Sequence, residues 1–222
     1  MNQKPVFLGI WLGLILYAAF IAPPNDPNTT TLILNLSTGS WEGINPLVIS
    51  LFNLMGIWPI IYMMVLLFDG REQKIPAWPF VATSFGVGAF ALLPYLALRQ
   101  PNPEFSGEKN LLLKILDSRW LGLAVTLGAL TLLGYGLISG DWQDFVRQWE
   151  SSKFIHVMSL DFCLLCLLFT FTVQDDLKRR QTADDSPLQW IVWVPFLGAL
   201  VYLCRRSPTI AKIAKNSTPK EA

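Results

Sequence analysis

The run WESSKFIHVMSLDFCLLCLLFTFTVQDDLKRR, from Trp149 to Arg180, decides the fold. Trp149 and Glu150 lead into an almost wholly apolar stretch, which Asp175, Asp176, Lys178, Arg179 and Arg180 close. About 20 helical residues cross a hydrocarbon core, and Trp and basic residues collect at its edges. The apolar residues run on without the alternation that a membrane β-strand needs. The stretch therefore reads as a membrane-spanning helix with one carboxylate, Asp161, inside it.

A similar stretch precedes it, from Trp41 to Arg71. Trp41-Glu42 matches Trp149-Glu150, Asn53 matches Asp161 and Arg71 matches Arg179, all displaced by 108 residues. Further on, the pattern Y-L-x-x-R-x-P occurs at 95–101 and again at 202–208, displaced by 107. Interfacial Trp and Arg are common in membrane helices, but several landmarks at one spacing indicate an internal duplication.

Six apolar runs have spanning length: 6–22, 46–68, 78–98, 120–138, 154–173 and 188–204. The expected fold is all-α: a polytopic membrane protein of six transmembrane helices arranged as two inverted three-helix repeats. Three spans per half is an odd number, so the second half enters from the opposite side, as in many transporters. The division is 1–104 for the first repeat, 105–118 for an interfacial linker helix, 119–208 for the second repeat and 209–222 for a polar tail. On this topology the segments 23–43 and 175–187 share one side. The first run precedes Pro23-Pro24, which disfavours cleavage beside it and makes it an uncleaved anchor.

Composition agrees with a lipid-facing protein. Of 222 residues, 52% are hydrophobic and 15% charged, and the mean hydropathy of +0.42 exceeds what a soluble domain of this size hides. A net charge of +1 gives no electrostatic basis for nucleic acid. Three Cys within or at the end of apolar runs make no disulfide framework, and a single His argues against a multi-histidine metal site. No phosphate loop, H-E-x-x-H or nucleophile elbow is present, so the residues assign no catalytic group and no cofactor.

Within the runs, Pro59 is expected to kink the second span and Gly70 to stop it. Ser84, Gly88 and Ala91 form one small-residue face, and Gly122, Thr126 and Ala129 another. The segment 23–43, rich in Pro, Asn and Thr, and the segment 141–149 read as connectors.

Three residues are candidate binding groups: Asp161, Asn53 and His156. A carboxylate inside a span is costly and must find protein or water. It serves either as a hydrogen-bonded fastener between helices or as a ligand, proton or pigment site. Asn53, at the equivalent depth, is the expected partner of Asp161 near the repeat axis. His156 is either a base or axial ligand, or an interfacial side chain bonded to backbone. Cys163 and Cys166 spell C-x-x-C without the electropositive setting that activates a thiol, and read as packing residues. Asp175, Asp176, Asp184 and Asp185 around Lys178-Arg179-Arg180 read as a solvated, self-paired loop.

Each half, through Trp149, Asp161, Asp176, Arg179, Arg180, Trp190, Tyr202 and Arg206 and their first-half counterparts, resembles a three-helix bacterial membrane family of unknown function. The first half departs from that pattern in having Asn53 where the second has Asp161. The double-length chain looks like polytopic membrane proteins of cyanobacteria and plastids, which implies a thylakoid or plasma membrane. The resemblance brings no activity.

Three functions follow from these features. The first is an integral accessory or assembly protein that binds partner helices, lipid or pigment. The second is a small carrier, working as a homodimer, with Asn53 and Asp161 at its centre. The third is an intramembrane lipid- or isoprenoid-modifying enzyme using His156 and Asp161.

Overall fold

The computed structural model describes residues 3–71, 73–102, 104–105, 108–180 and 187–209, and these are helical with no strand. In chain order the helices are α1 (Lys4–Phe20), α2 (Thr29–Thr38), α3 (Pro46–Asp69), α4 (Trp78–Val87), α5 (Ala89–Leu98) and α6 (Leu111–Leu116). They continue with α7 (Arg119–Ser139), α8 (Trp142–Ser151), α9 (Lys153–Arg179), α10 (Leu188–Ile191) and α11 (Leu197–Arg205). Three of them, α3, α7 and α9, are long and apolar enough to cross a membrane, while α1 and α5 are shorter apolar helices.

Local chemistry sets several starts. Asn45 caps α3 by accepting from the Leu47 N–H, with Pro46 in the first turn. Ser118 caps α7 through the Trp120 N–H, and Asp141 caps α8 through the Asp144 N–H. The two segments expected as connectors thus hold helices. In α2 the buried Leu36 packs with Val48, Ile49 and Ile155, and this contact decides the segment despite its Thr-rich composition. Between the halves, α6 is a single short turn of helix that buries Leu113 and Leu116 and leaves Leu111, Leu112 and Ile115 exposed.

α3 and α9 lie side by side and run in the same direction. Their contacts advance together along both helices: Phe52 meets Phe154 with ring centroids 6.4 Å apart, and Trp58 meets Phe162 at 6.3 Å. Beyond these, Tyr62 Oη donates to the Leu165 carbonyl at 2.7 Å, and Arg179 reaches Asp69 at 3.1 Å. An inverted repeat would set these equivalent helices antiparallel, so the expected inversion is corrected. The segments 23–43 and 175–180 accordingly sit at opposite ends of the molecule.

The third apolar run does not form one straight helix either. A 21-residue helix would put Phe80 and Tyr95 about 22 Å apart along its axis at 1.5 Å per residue. Their ring centroids are 5.5 Å apart. The chain turns back at Gly88, whose φ of 53° and ψ of −128° suit a residue without Cβ. Gln73 and Gln100, on the two flanks of this hairpin, exchange hydrogen bonds of 2.6 and 3.0 Å. The sixth run bends in the same way. Trp193 lies against Phe171, Phe196 reaches down to Phe162, and Tyr202 has returned to Phe169 and Asp176. Phe196, 108 residues after Gly88, also has a positive φ, 60°.

Other expectations fare unevenly. α3 continues as one helix through Pro59. Gly70 follows α3 with an ordinary right-handed φ of −72°. Its smallness serves a close approach instead, since a Cβ there would lie 2.6 Å from the Ala77 Cβ. Gly122, Thr126 and Ala129 do pack: a Cβ on Gly122 would meet the Leu203 carbonyl at 2.6 Å, and Thr126 Oγ1 lies 3.2 Å from Cys204 Sγ. The face of Ser84, Gly88 and Ala91 is broken by the hairpin turn.

Candidate functional site

The turn at Gly88 matters because of what lies under it. Breaking the run there frees the first N–H groups of α5, and Ala89 N–H donates to Asp161 Oδ1 at 2.9 Å. A carboxylate from α9 thus stabilises the positive end of a helix in another part of the chain. The approach is so close that a Cβ on Gly88 would stand 1.8 Å from Asp161 Oδ2. Asp161 is only 4% exposed.

That residual exposure opens into a cavity of about 590 Å³. Its walls come from α1, α3, the hairpin tip and the first turns of α9, with Phe52, Met55, Phe85, Phe90, Phe154 and Met158 as the apolar lining. Asn25, Thr29 and Lys153 supply polar groups, and Ser84 lies by the tip. Ser84 Oγ is already engaged with the Val81 carbonyl at 2.7 Å. Gly56 and Gly86 also line the space, and a Cβ on either would meet nothing within 4 Å.

The three candidate residues separate. Asn53 does not pair with Asp161; its Nδ2 bonds back to the Ile49 carbonyl one turn earlier, at 2.8 Å. The expected pairing assumed an inversion, and parallel α3 and α9 remove its basis. His156 spans two helices: Nε2 is 2.8 Å from Tyr17 Oη, and Nδ1 is 3.0 Å from the Trp149 carbonyl. Its ring stacks on Trp149 with centroids 4.2 Å apart. Both nitrogens are thus engaged, one by a side chain and one by backbone. Cys163 is exposed, Cys166 is buried, and both are free thiols. Among the described residues no group of three or more His, Cys, Asp or Glu is placed to hold a metal ion.

A second polar centre escaped the sequence. The residues 175–180, expected as a solvated loop, end α9 inside a buried ionic network; Asp184 and Asp185 lie outside the described residues. Arg179 bonds Asp176 at 2.8 Å and Asp69 at 3.1 Å, joining the ends of α9 and α3. Arg99 contacts Asp69 at 2.6 Å and Asp175 at 2.9 Å. Arg180 bonds Asp176 at 2.8 Å and Asp117 at 2.7 Å. Arg206 is held by the Met64 and Leu116 carbonyls. Tyr95 donates to Asp69 at 2.9 Å, and Tyr202 donates to Asp176 at 2.5 Å. Tyr95, Arg99, Tyr202 and Arg206 are the Tyr and Arg of the repeated Y-L-x-x-R-x-P pattern, so their recurrence was the available signal.

Asp117, ahead of α7, reports on this network. Burial opposes its charge, yet Arg180, helped by hydrogen bonds from Lys109 and the Thr209 backbone, holds its carboxyl down at about 2. The network therefore works as a fastener at one end of the helices, and the cavity lies toward the other.

Comparison of the chain with protein-family models, with curated proteins and with solved structures found no match.

Proposed function

We propose that this chain is a multi-pass membrane accessory protein that holds an amphiphile, of the lipid or pigment kind, in the cavity beneath the Gly88 turn. The observation that carries the reading is the cavity itself: about 590 Å³, apolar on most sides, with one buried carboxylate at its end. Ligand sites take this form, a mostly apolar concave space with few, well-placed polar groups.

The membrane arrangement that supports this has α1, α3, α7 and α9 crossing, with α4–α5 and α10–α11 as re-entrant hairpins. Non-helical backbone at membrane depth is tolerated where it lines a cavity, and the Gly88 turn does so. The halves then form a parallel repeat about an axis along the membrane normal. The recurrent Tyr–Asp bonds and the positive φ at Gly88 and Phe196 support that relation. Charge supports it too. Of fourteen Lys and Arg among the described residues, twelve belong to the end where α3 and α9 finish, and only Arg147 and Lys153 to the other. By the positive-inside rule the ionic end faces the cytoplasm, in a plasma or thylakoid membrane.

Purification in mild detergent followed by native mass spectrometry and absorbance tests the function. The wild-type protein is expected to carry a small amphiphile or pigment, and Gly56→Phe, which fills the cavity from an open position, is expected to lose it. Equal retention in both proteins contradicts the reading.

A carrier is the second reading, favoured by the broken helix at the site, since half-helix ends recur at transporter sites. Ligand-driven uptake by proteoliposomes would distinguish it. The enzyme reading loses support because both nitrogens of His156 are engaged.

A further inference from the structure

We propose that the cavity selects an amphiphile whose head donates hydrogen bonds to Asp161, foremost a protonated primary amine, and rejects an anionic head. This deepens the ligand-binding reading and rests on it. The carboxylate has two oxygens, and only Oδ1 is engaged, by the Ala89 N–H. Among the described residues Oδ2 has no hydrogen-bond donor, although Asp161 is 4% exposed and lines the cavity.

No cation among the described residues pairs with it. Asp161 enters none of the ion pairs among the described residues. Lys153, the cation of the cavity wall, is eight residues away on the same helix, roughly 12 Å along its axis. A buried carboxylate is retained only where a partner compensates its desolvation. The α5 N-terminus supplies one hydrogen bond and a partial positive charge. The cavity that Asp161 lines offers space that an apolar body can fill, bordered by Phe52, Met55 and Phe154. An ammonium on a hydrocarbon chain satisfies both surfaces at once, because charge-assisted hydrogen bonds are the stronger kind. A carboxylate or phosphate head would meet Oδ2 with like charge.

The test measures binding of dodecylamine, dodecanol and dodecanoate to the full chain in lipid nanodiscs, with Gly56→Phe as the blank for partition into lipid. Wild type is expected to bind dodecylamine roughly tenfold more tightly than dodecanoate, with dodecanol between, a difference of about 1.4 kcal/mol. Asp161→Asn keeps an acceptor for the Ala89 N–H and is expected to lose that preference. Dodecanoate binding as tightly as dodecylamine overturns the inference, while leaving a ligand cavity in place. Unchanged dodecylamine affinity in Asp161→Asn overturns it as well. If no probe binds wild type above the Gly56→Phe blank, the ligand-binding reading itself fails. The order of the three probes on wild type is informative even where a variant fails to fold.

Discussion

At the scale of single residues, Gly88 and Asp161 depend on each other. Gly88→Ala would place a methyl on Asp161 Oδ2 and force a side chain into a glycine conformation. The strain alone is on the order of 1–3 kcal/mol, and displacing the carboxylate adds the lost Ala89 bond, roughly 1 kcal/mol more. Thermal unfolding in detergent should therefore show a clear drop, and a variant as stable as wild type would deny the close contact. Asp117 makes a different prediction, in pH. Its folded pKa, about 2, lies below the ordinary carboxylate value of 3.8. Its contribution to stability is therefore fully present above the ordinary value and is lost as pH falls through about 2. A melting series from pH 6 to pH 2 should show this acid loss, and Asp117→Asn should flatten it. Parallel acid profiles for the two proteins would remove Asp117 from that role.

At the scale of elements, Arg179 joins α3 to α9 where both helices end. Replacing it with Met leaves Asp69 and Asp176 in the interior with fewer partners, and breaking a buried pair costs about 3–5 kcal/mol. Arg99, Arg180, Tyr95 and Tyr202 still contact those carboxylates, so the lower end of that range is expected, measured as resistance to unfolding in detergent. A loss below ~1 kcal/mol, the worth of a surface pair, would show that the network is solvated. Apolar run length found α3, α7 and α9 in the sequence, because each is a continuous run bounded by polar caps. It misjudged the third and sixth runs. Two antiparallel half-helices and one straight helix have the same apolar length, and only the φ at Gly88 and Phe196 separates them. A Gly within a span signals either close packing or a turn, and one sequence does not say which. Phe196 gives no such signal; its positive φ is held by aromatic contacts with Trp58 at 5.8 Å and Phe162 at 5.4 Å.

At the scale of the whole molecule, the sequence suggested a duplication, and the parallel course of α3 and α9 is at odds with its inverted form. Matching Trp, Glu and Arg positions suggest that two segments are related, but the direction of the second follows from counting spans. Reading the two hairpins as full spans gave three per half and therefore an inversion. In the proposed arrangement each hairpin returns to its own side, so every half would cross twice and the two halves would run parallel, in keeping with the parallel α3 and α9. The same miscount paired Asn53 with Asp161 and hid the α5 N-terminus as the carboxylate's partner. Residues 175–180 read as solvated because their own charges balance, although those charges close the bundle. All of this depends on the chain turning back at Gly88 over Asp161. Single Cys residues at Thr30, Lys74 and Gln100, in a protein without Cys163, Cys166 and Cys204, test it by labelling with a membrane-impermeant maleimide. Positions 74 and 100 are expected to react from one side of the membrane and position 30 from the other. Labelling of 74 and 100 from opposite sides would make residues 78–98 a full span and contradict it.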